Sequence, residues 1–176
     1  CEQLGVQINE KSYGQCALVA NVSTAQAHQG CAFERFTDEG PLALLPLVSS
    51  NGEKSRSALV WTLPPKRAAA LKECAEDEFI AQLQDRFGYR LGRLKKVGER
   101  FTYPLSLTQS SEQVRQNVVV MGNAAHALHP VAGQGYNLAL RDVAELGRVL
   151  AQGIAAGLVP GDLAMLQRYQ RRQQAD

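Results

Sequence analysis

The segment 118–142 constrains the fold of this chain more than any other part of it. It begins with a continuous apolar run at 118–121 that ends at Gly122, a pattern typical of a short strand buried on both faces. A loop rich in Gly, Ala and Pro follows and contains Gly-Gln-Gly at 133–135. Apolar residues then recur at helical spacing. We therefore expect a strand, a loop and a helix that begins within two residues of Gly135.

The start of that helix is the expected ligand position. The first-turn N–H groups have no partner inside a helix, and the helix dipole adds positive potential there, so an anionic or electron-rich atom is favoured. The residues alone do not name the ligand. The dinucleotide fingerprint G-x-G-x-x-G fails because its third glycine would fall at Leu138, and no phosphate-loop, HExxH or GxSxG motif is present. A glycine-rich turn that serves only packing remains the alternative.

The preceding sequence predicts a mixed or antiparallel sheet flanked by helices. Alternating and β-branched residues indicate strands at 13–24, 42–48, 57–63 and within 93–107, with a turn at Asn51-Gly52. Apolar residues that recur every four positions indicate helical surface over 71–87, and the acidic cluster at 76–78 marks a second helix start within it.

The last third of the chain predicts two further helices. The polar segment 108–117 is expected to be a surface connection. An apolar stripe indicates the helix after the loop, and its members are Leu140, Val143, Leu146 or Gly147, Leu150 and Ile154. Gly157 and Pro160 end that helix, and Asp162 caps a last helix through Arg172. We place a domain boundary near residue 110.

Composition excludes several classes of protein. The net charge of +2 is too small to indicate nucleic-acid binding by itself, and the longest apolar run, at 42–48, is far shorter than the roughly 20 residues of a membrane span. Four cysteines without a CxxC pair argue against structural zinc and favour reduced thiols in a cytoplasmic protein. Apolar residues at 45% and charged residues at 20% are ordinary globular values.

Three further features have a structural and a functional interpretation. His126 and His129 lack a third metal ligand, so hydrogen-bonded loop histidines are expected there. His28 is expected to be structural, with a pocket role as the alternative, and Trp61 is expected in the core. The basic segment 86–100 is most often a solvated face, and contact with an anionic membrane surface is its alternative.

The sequence GNAAHALHPVAGQGYNLALRDV, which begins at Gly122, resembles the second flavin motif of the aromatic-hydroxylase flavoprotein monooxygenases, the group of para-hydroxybenzoate hydroxylase. Asn123 stands where most members have Asp. That variant, with Leu-His-Pro and Ala-Gly-Gln-Gly, is typical of the ubiquinone-biosynthesis branch, nearest the 2-octaprenyl-6-methoxyphenol hydroxylases. The segments 13–22, 32–36, 40–47 and 59–61 resemble the middle domain of that branch in the same order.

The resemblance implies a role for each residue of the motif. Asn123 would contact the flavin ribityl chain, the loop would line the isoalloxazine ring, and amides at the helix start would face the flavin C2 carbonyl. A side chain at Gly135 is expected to clash or to strain the backbone. The implied flavin-binding residues are Gly122, Asn123, Pro130, Ala132, Gly133, Gln134, Gly135, Tyr136 and Asn137. No catalytic acid or base is implied.

The same resemblance implies a fold and an activity. Residues 1–109 would form the substrate-binding middle domain and 110–176 the second half of a Rossmann-like FAD-binding domain, giving an α/β (α+β) fold. The activity would be FAD-dependent hydroxylation of a polyprenylated phenol with NAD(P)H and O2. The G-x-G-x-x-G strand that holds the ADP half of FAD is not in this chain, so we expect the chain alone to hold FAD poorly and to be inactive.

Partners and alternatives follow from the same resemblance. Other ubiquinone-biosynthesis proteins and a peripheral contact at the inner face of the cytoplasmic membrane are expected, and nucleic acid is not. One alternative is a flavin hydroxylase of a different aromatic ring. The other is a non-catalytic module that binds lipid or quinone, or a scaffold piece of a biosynthetic assembly.

Overall fold

The computed structural model describes residues 1–48, 52–129 and 134–173. The chain forms two compact units, one comprising Gly14–Leu105 and the other comprising Cys1–Tyr13 with Ser106–Asp176. Residues 1–13 therefore group with the C-terminal segment, whereas the sequence analysis placed them in the first domain. The physical reason is hydrogen bonding, because the N–H of Ser111 donates to the carbonyl of Gln7 at 2.8 Å and the Sγ of Cys1 donates to the carbonyl of Ala124 at 3.2 Å. The long strand β1 (Ile8–Thr24) has residues in both units.

The unit Gly14–Leu105 is built on an antiparallel sheet, as predicted. Its strands are β1, β2 (Phe33–Phe36), β3 (Pro41–Leu47), β4 (Arg56–Leu63), β5 (Leu94–Val97) and the first half of β6 (Phe101–Ser110). The strand order is β2-β3-β4-β1-β6, and β5 pairs with the end of β1. Trp61 fixes the register in the middle of the sheet, because it lies opposite Leu18 of β1 and Leu42 of β3.

Two helices complete this unit, α1 (Pro65–Glu73) and α2 (Glu76–Phe87). The predicted apolar stripe is their buried face: Leu71, Phe79, Leu83 and Phe87 are at most 1% exposed. Trp61 is fully buried and packs edge-on against Phe79, with ring centroids 6.4 Å apart. Burial of side chains this large contributes about 1.5–3 kcal/mol each, so this cluster is the core of the unit.

The other unit contains the strand–loop–helix segment. Its elements after β6 are β7 (Val114–Arg115), β8 (Val118–Val119), a 3-10 turn at Gly122–Ala124, β9 (His126–Ala127), α3 (Gln134–Ala155) and α4 (Leu163–Gln173). Strand β9 pairs with β6, and α3 packs on α4 through Val149, Leu166 and Tyr169. The predicted cap of α4 is confirmed, since the Oδ1 of Asp162 accepts a hydrogen bond from the Met165 N–H at 3.0 Å.

Three predictions in this unit need correction. The strand at 118–121 is only Val118–Val119, and it is half-buried because its antiparallel partner is the neighbouring β7 and not a strand of a larger sheet. That partner lies inside 108–117, which was predicted to be a connection, and β6 also continues to Ser110. Polar side chains did not prevent these residues from pairing, because ladder hydrogen bonds use only the backbone.

The predicted stripe of α3 is confirmed in part. Leu146 and Leu150 are half-buried and pack against the cluster that holds α4, whereas Leu140, Val143 and Ile154 are about half exposed, at 50%, 57% and 54%. The fully buried positions are Asp142, Val149 and Gly153, so the buried face is rotated away from Leu140, Val143 and Ile154. Of the predicted Asn51-Gly52 turn, only Gly52 belongs to the described residues, and its φ is +77°.

Gly153 provides a test of the packing of α3 on α4. A Cβ built at Gly153 would collide with the Sδ of Met165, which is 1% exposed. We expect Gly153→Val to lower the free energy of unfolding by about 1–3 kcal/mol through overpacking. The control is Gly147→Ala on the same helix, where a Cβ meets nothing within 4 Å and up to about 1 kcal/mol should be gained. Urea denaturation of both variants measures their free energies of unfolding. Equal values for the two variants would contradict the prediction.

Candidate functional site: the loop between β8 and α3

The 3-10 turn at Gly122–Ala124 lies against α3. Gly122 has a φ of +60°, a conformation that glycine adopts at little cost. A Cβ placed on Gly122 would lie 3.8 Å from the Cβ of Ala139, so the turn is in van der Waals reach of the helix. Asn123, at the middle of the turn, is exposed. The Asn123 side chain is therefore accessible to solvent on a turn that lies beside the helix.

Hydrogen bonds hold this turn from its C-terminal side. The carbonyl of Ala125 accepts from the N–H of Ser110 at 2.8 Å, and His126 pairs with Gln109 of β6. The Sγ of Cys1 donates to the carbonyl of Ala124 at 3.2 Å. The predicted ribityl-binding residue thus sits on a turn whose following residues are tied to a strand.

Helix α3 begins at Gln134, within two residues of Gly135, as predicted. Its first turn contains no acidic side chain to offset the positive end of the dipole, and Gln134, Tyr136 and Asn137 are exposed. A Cβ at Gly135 would meet no heavy atom within 4 Å, and its φ lies outside the left-handed region. The expectation that a side chain at Gly135 would strain the backbone is therefore wrong. Within the described residues a side chain has room there, and only a bound ligand would clash with it.

The structure brings the predicted residues at 122–123 and 134–137 to the two ends of one loop beside α3. Pro130, Ala132 and Gly133 lie outside the described residues, so their predicted place along the isoalloxazine ring stays a prediction. The site assignment as a whole stays a prediction as well.

The loop histidines have different surroundings. The ring of His129 packs edge-on against Tyr13, with centroids 5.0 Å apart, and desolvation lowers the pKa of His129 below its usual 6.5. The Nε2 of His126 lies 3.7 Å from the Oδ2 of Asp142. Among the described residues, no group of three His, Cys, Asp or Glu side chains is placed to hold a metal ion. The four cysteines form no disulfide.

His28, in the unit Gly14–Leu105, is structural, as predicted. It is 2% exposed, and its Nδ1 accepts a hydrogen bond from the Gly30 N–H at 3.0 Å. The other ring nitrogen, Nε2, therefore donates to the carbonyl of Leu47 at 3.1 Å.

Sequence reasoning did not single out Asp142. This residue is 2% exposed although it is acidic, and it lies about two turns into α3. A signal was present, because Asp142 precedes Leu146 by four residues and Val149 by seven, the spacing of one helix face. An acidic residue in the middle of the buried face of a helix indicates a specific partner.

A family described as the FAD binding domain matches residues 2–174. The chain belongs to the FAD-binding domain family. The motif-based prediction of an FAD protein is thereby confirmed.

The relatives of this FAD-binding domain include ubiquinone hydroxylases. It is 40% identical over 175 residues to the ubiquinone hydroxylase UbiL of Rhodospirillum rubrum, with 99% of this chain and 40% of that protein covered. It is 30% identical to the 3-demethoxyubiquinol 3-hydroxylase of Escherichia coli, with 99% and 43% covered. The chain therefore spans less than half the length of these relatives.

The fold is also that of solved flavoproteins. The flavin-dependent halogenase CmlS superposes with a TM-score of 0.69 at 16% sequence identity, covering 99% of this chain and 32% of the halogenase. At this identity the likeness concerns the fold alone. None of the described helices has the length and apolar character needed to cross a membrane.

The hydrogen-bonding groups of the described residues are of the kinds that FAD requires. The exposed amide of Asn123 can both donate and accept hydrogen bonds, which suits a ribityl hydroxyl. The first-turn N–H groups of α3 suit an oxygen that carries negative charge. Gly135 leaves open space at that helix start, which a planar ring system can approach.

Acidification tests the surroundings of His129. Because desolvation lowers the pKa of His129, the unfolded chain binds a proton at a higher pH than the folded chain. Stability should therefore be fully present above pH 6.5 and fall as the pH drops below that value. An NMR titration should give a His129 pKa under 6.5, and Tyr13→Ala should raise that pKa by removing the ring that desolvates the imidazole. A pKa at or above 6.5 in the unsubstituted protein would contradict the assignment.

Proposed function

We propose that the full-length protein containing this chain is an FAD-dependent monooxygenase that hydroxylates a polyprenylated phenol in ubiquinone biosynthesis, using NAD(P)H and O2. The observation that carries the proposal is the pairing of an exposed Asn123 turn with an unblocked α3 start at Gly135. The identity of 40% to a ubiquinone hydroxylase supports the substrate class. The aromatic ring of such a substrate is a phenol or quinol.

In this proposal the residues of the chain bind and orient the cofactor, and FAD supplies the redox chemistry when bound. Asn123 would hold the ribityl chain by a hydrogen bond. The N–H groups of Gly135, Tyr136 and Asn137 would donate to the C2 carbonyl oxygen. Donors that are already oriented toward an oxygen stabilise the negative charge that develops there without further reorganisation.

The two units of the chain would bind different molecules, the substrate and FAD. The unit Gly14–Leu105, with its antiparallel sheet and helices, would form the substrate-binding middle domain, and the unit that contains α3 and α4 would form the second half of the FAD-binding domain. Asn123 and α3 would then hold the flavin end of the cofactor. Its ADP half requires the G-x-G-x-x-G strand, which this chain does not contain.

The location and partners of the protein belong to the same proposal. A polyprenyl tail partitions into lipid, so the enzyme would act in the cytoplasm at the inner face of the membrane, in contact with other proteins of ubiquinone biosynthesis. The exposed Lys95 and Lys96 of β5 belong to the basic segment that could meet anionic lipid.

Gly135→Val in the full-length protein tests the flavin loop. Because a side chain at Gly135 has room within the protein, it should abolish flavin retention only by occupying the space of the ring. Gly147→Val is the matched control, since it makes the same substitution on the same helix at a position where a Cβ also meets nothing within 4 Å. Visible flavin absorbance of the purified variants is the measurement. A Gly135→Val protein that retains FAD like the wild type would show that the loop is only a packing turn.

Asn123→Ala should weaken FAD binding without abolishing it. One hydrogen bond lost from a partly buried site costs about 1–2 kcal/mol, which is about tenfold in affinity. Asn9→Ala, at an exposed position of β1, is the control and should leave the affinity unchanged. Fluorescence titration of the apoprotein with FAD measures both variants. Equal dissociation constants for the two would remove Asn123 from the site.

A further inference from the structure

Asp142 has a buried carboxylate with an unmet hydrogen-bonding requirement. The residue is 2% exposed, and its Oδ2 accepts no hydrogen bond from the described part of the chain. An ionised carboxylate removed from water costs several kcal/mol unless a partner compensates it. A position on the helix face that packs toward α4 would normally carry an apolar side chain. The acidic residue at this position therefore calls for a reason other than packing.

The groups around Asp142 identify its partner. The Nε2 of His126 lies 3.7 Å from the Oδ2, which is within reach of an ion pair and beyond hydrogen-bond length. The hydroxyl of Tyr169 is buried without a hydrogen-bond partner among the described residues, and burial, followed by the charges of Asp142 and Glu145, raises the pKa of Tyr169 to about 12. Glu145 itself is occupied by Arg148 at 2.7 Å and Arg172 at 3.1 Å. The Nε2 of His126 thus faces the carboxylate of Asp142 across 3.7 Å.

The contact of His126 with Asp142 connects β9 with α3, the two elements on either side of the proposed flavin loop. His126 belongs to β9, which follows the turn that carries Asn123, and Asp142 belongs to α3, whose first turn is the proposed carbonyl-binding site. A cavity of about 450 Å³ lies beside the pair, and its lining also includes the polar side chains of Gln109, Gln113, Arg141 and Gln173 and the apolar ones of Leu128 and Leu138. Because this space is open, packing is incomplete beside the pair, and the contact of His126 with Asp142 adds to the contacts that set the spacing of β9 and α3.

We propose that Asp142 is a positioning residue for the flavin site. Its carboxylate attracts the Nε2–H of His126 and thereby holds the Asn123 turn at a set distance from the start of α3. The inference rests on the proposed function, because FAD is what that spacing serves. A loosened contact would let the turn move away from the helix, and the cofactor would then have to order the loop at the expense of its affinity.

The test uses the full-length protein and FAD as the probe. Asp142→Asn keeps the size of the side chain and removes its charge, and His126→Phe keeps a planar ring and removes the Nε2–H. Each is expected to weaken FAD binding about tenfold. The double variant is expected to be no weaker than either single variant, because both changes break the same contact. Asp162→Asn is the matched control, since it makes the same change at the cap of α4 and should leave FAD affinity unchanged.

A second measurement does not depend on turnover or on bound FAD. Hydrogen exchange of the apoprotein should show faster exchange over 122–129 in both single variants and wild-type exchange in the control. Asp142→Asn with wild-type FAD affinity and exchange would overturn the proposal. A double variant whose loss of FAD affinity equals the product of the two single losses would also overturn the proposal. If Asp142→Asn does not fold, FAD affinity and hydrogen exchange of His126→Phe decide by the same criteria.

The failure of this inference is distinguishable from the failure of the proposed function. A wild-type protein that binds no FAD would contradict the proposed function, and the exchange measurement would still show whether Asp142 holds the turn. A wild-type protein that binds FAD, with variants that bind it equally well, would contradict the positioning role alone.

Discussion

The burial of one face of α3 is the constraint on which the arrangement of the site depends. Val149 and Gly153 pack this helix on α4, and Gly153 allows an approach that a Cβ would prevent. With that face fixed, the start of the helix and the position of Ala139 are fixed as well, because an α-helix is a rigid element. The turn at Gly122–Ala124 then lies against the helix, and Asn123 is presented beside its first turn.

Membership of the FAD-binding domain family explains why the site is built from backbone and small residues more than from acids and bases. A flavin carries the difficult chemistry itself, so the protein mainly has to hold it, orient it and stabilise charge on it. The described residues of the loop match these tasks, with one amide side chain and a row of helix-start N–H groups. The buried pair of Asp142 and His126 adds a means of setting the width of the loop.

Much of the fold could be predicted from local patterns. Alternation of apolar and polar residues predicts the strands β1, β3 and β4, and apolar residues at four-residue spacing predict the helices α1 and α2. Each period places the apolar side chains on one side of the element. The helix start at Gln134 and the cap at Asp162 follow from residue chemistry. The short pairing of β7 with β8 could not be predicted in the same way, because a two-residue ladder depends on which backbone segments meet and leaves no period in the sequence.

The sequence by itself determined the long strands and the helices of this protein, the family resemblance and the residues proposed to meet the flavin. Only the tertiary structure decided which residues of α3 are fully buried. Leu146 and Leu150 of the apolar stripe pack against the α4 cluster, but Leu140, Val143 and Ile154 stay about half exposed and Asp142 is buried. Burial is a property of neighbours brought together from distant parts of the chain, so the partnership of Asp142 with His126 became visible only when β9 and α3 were placed side by side.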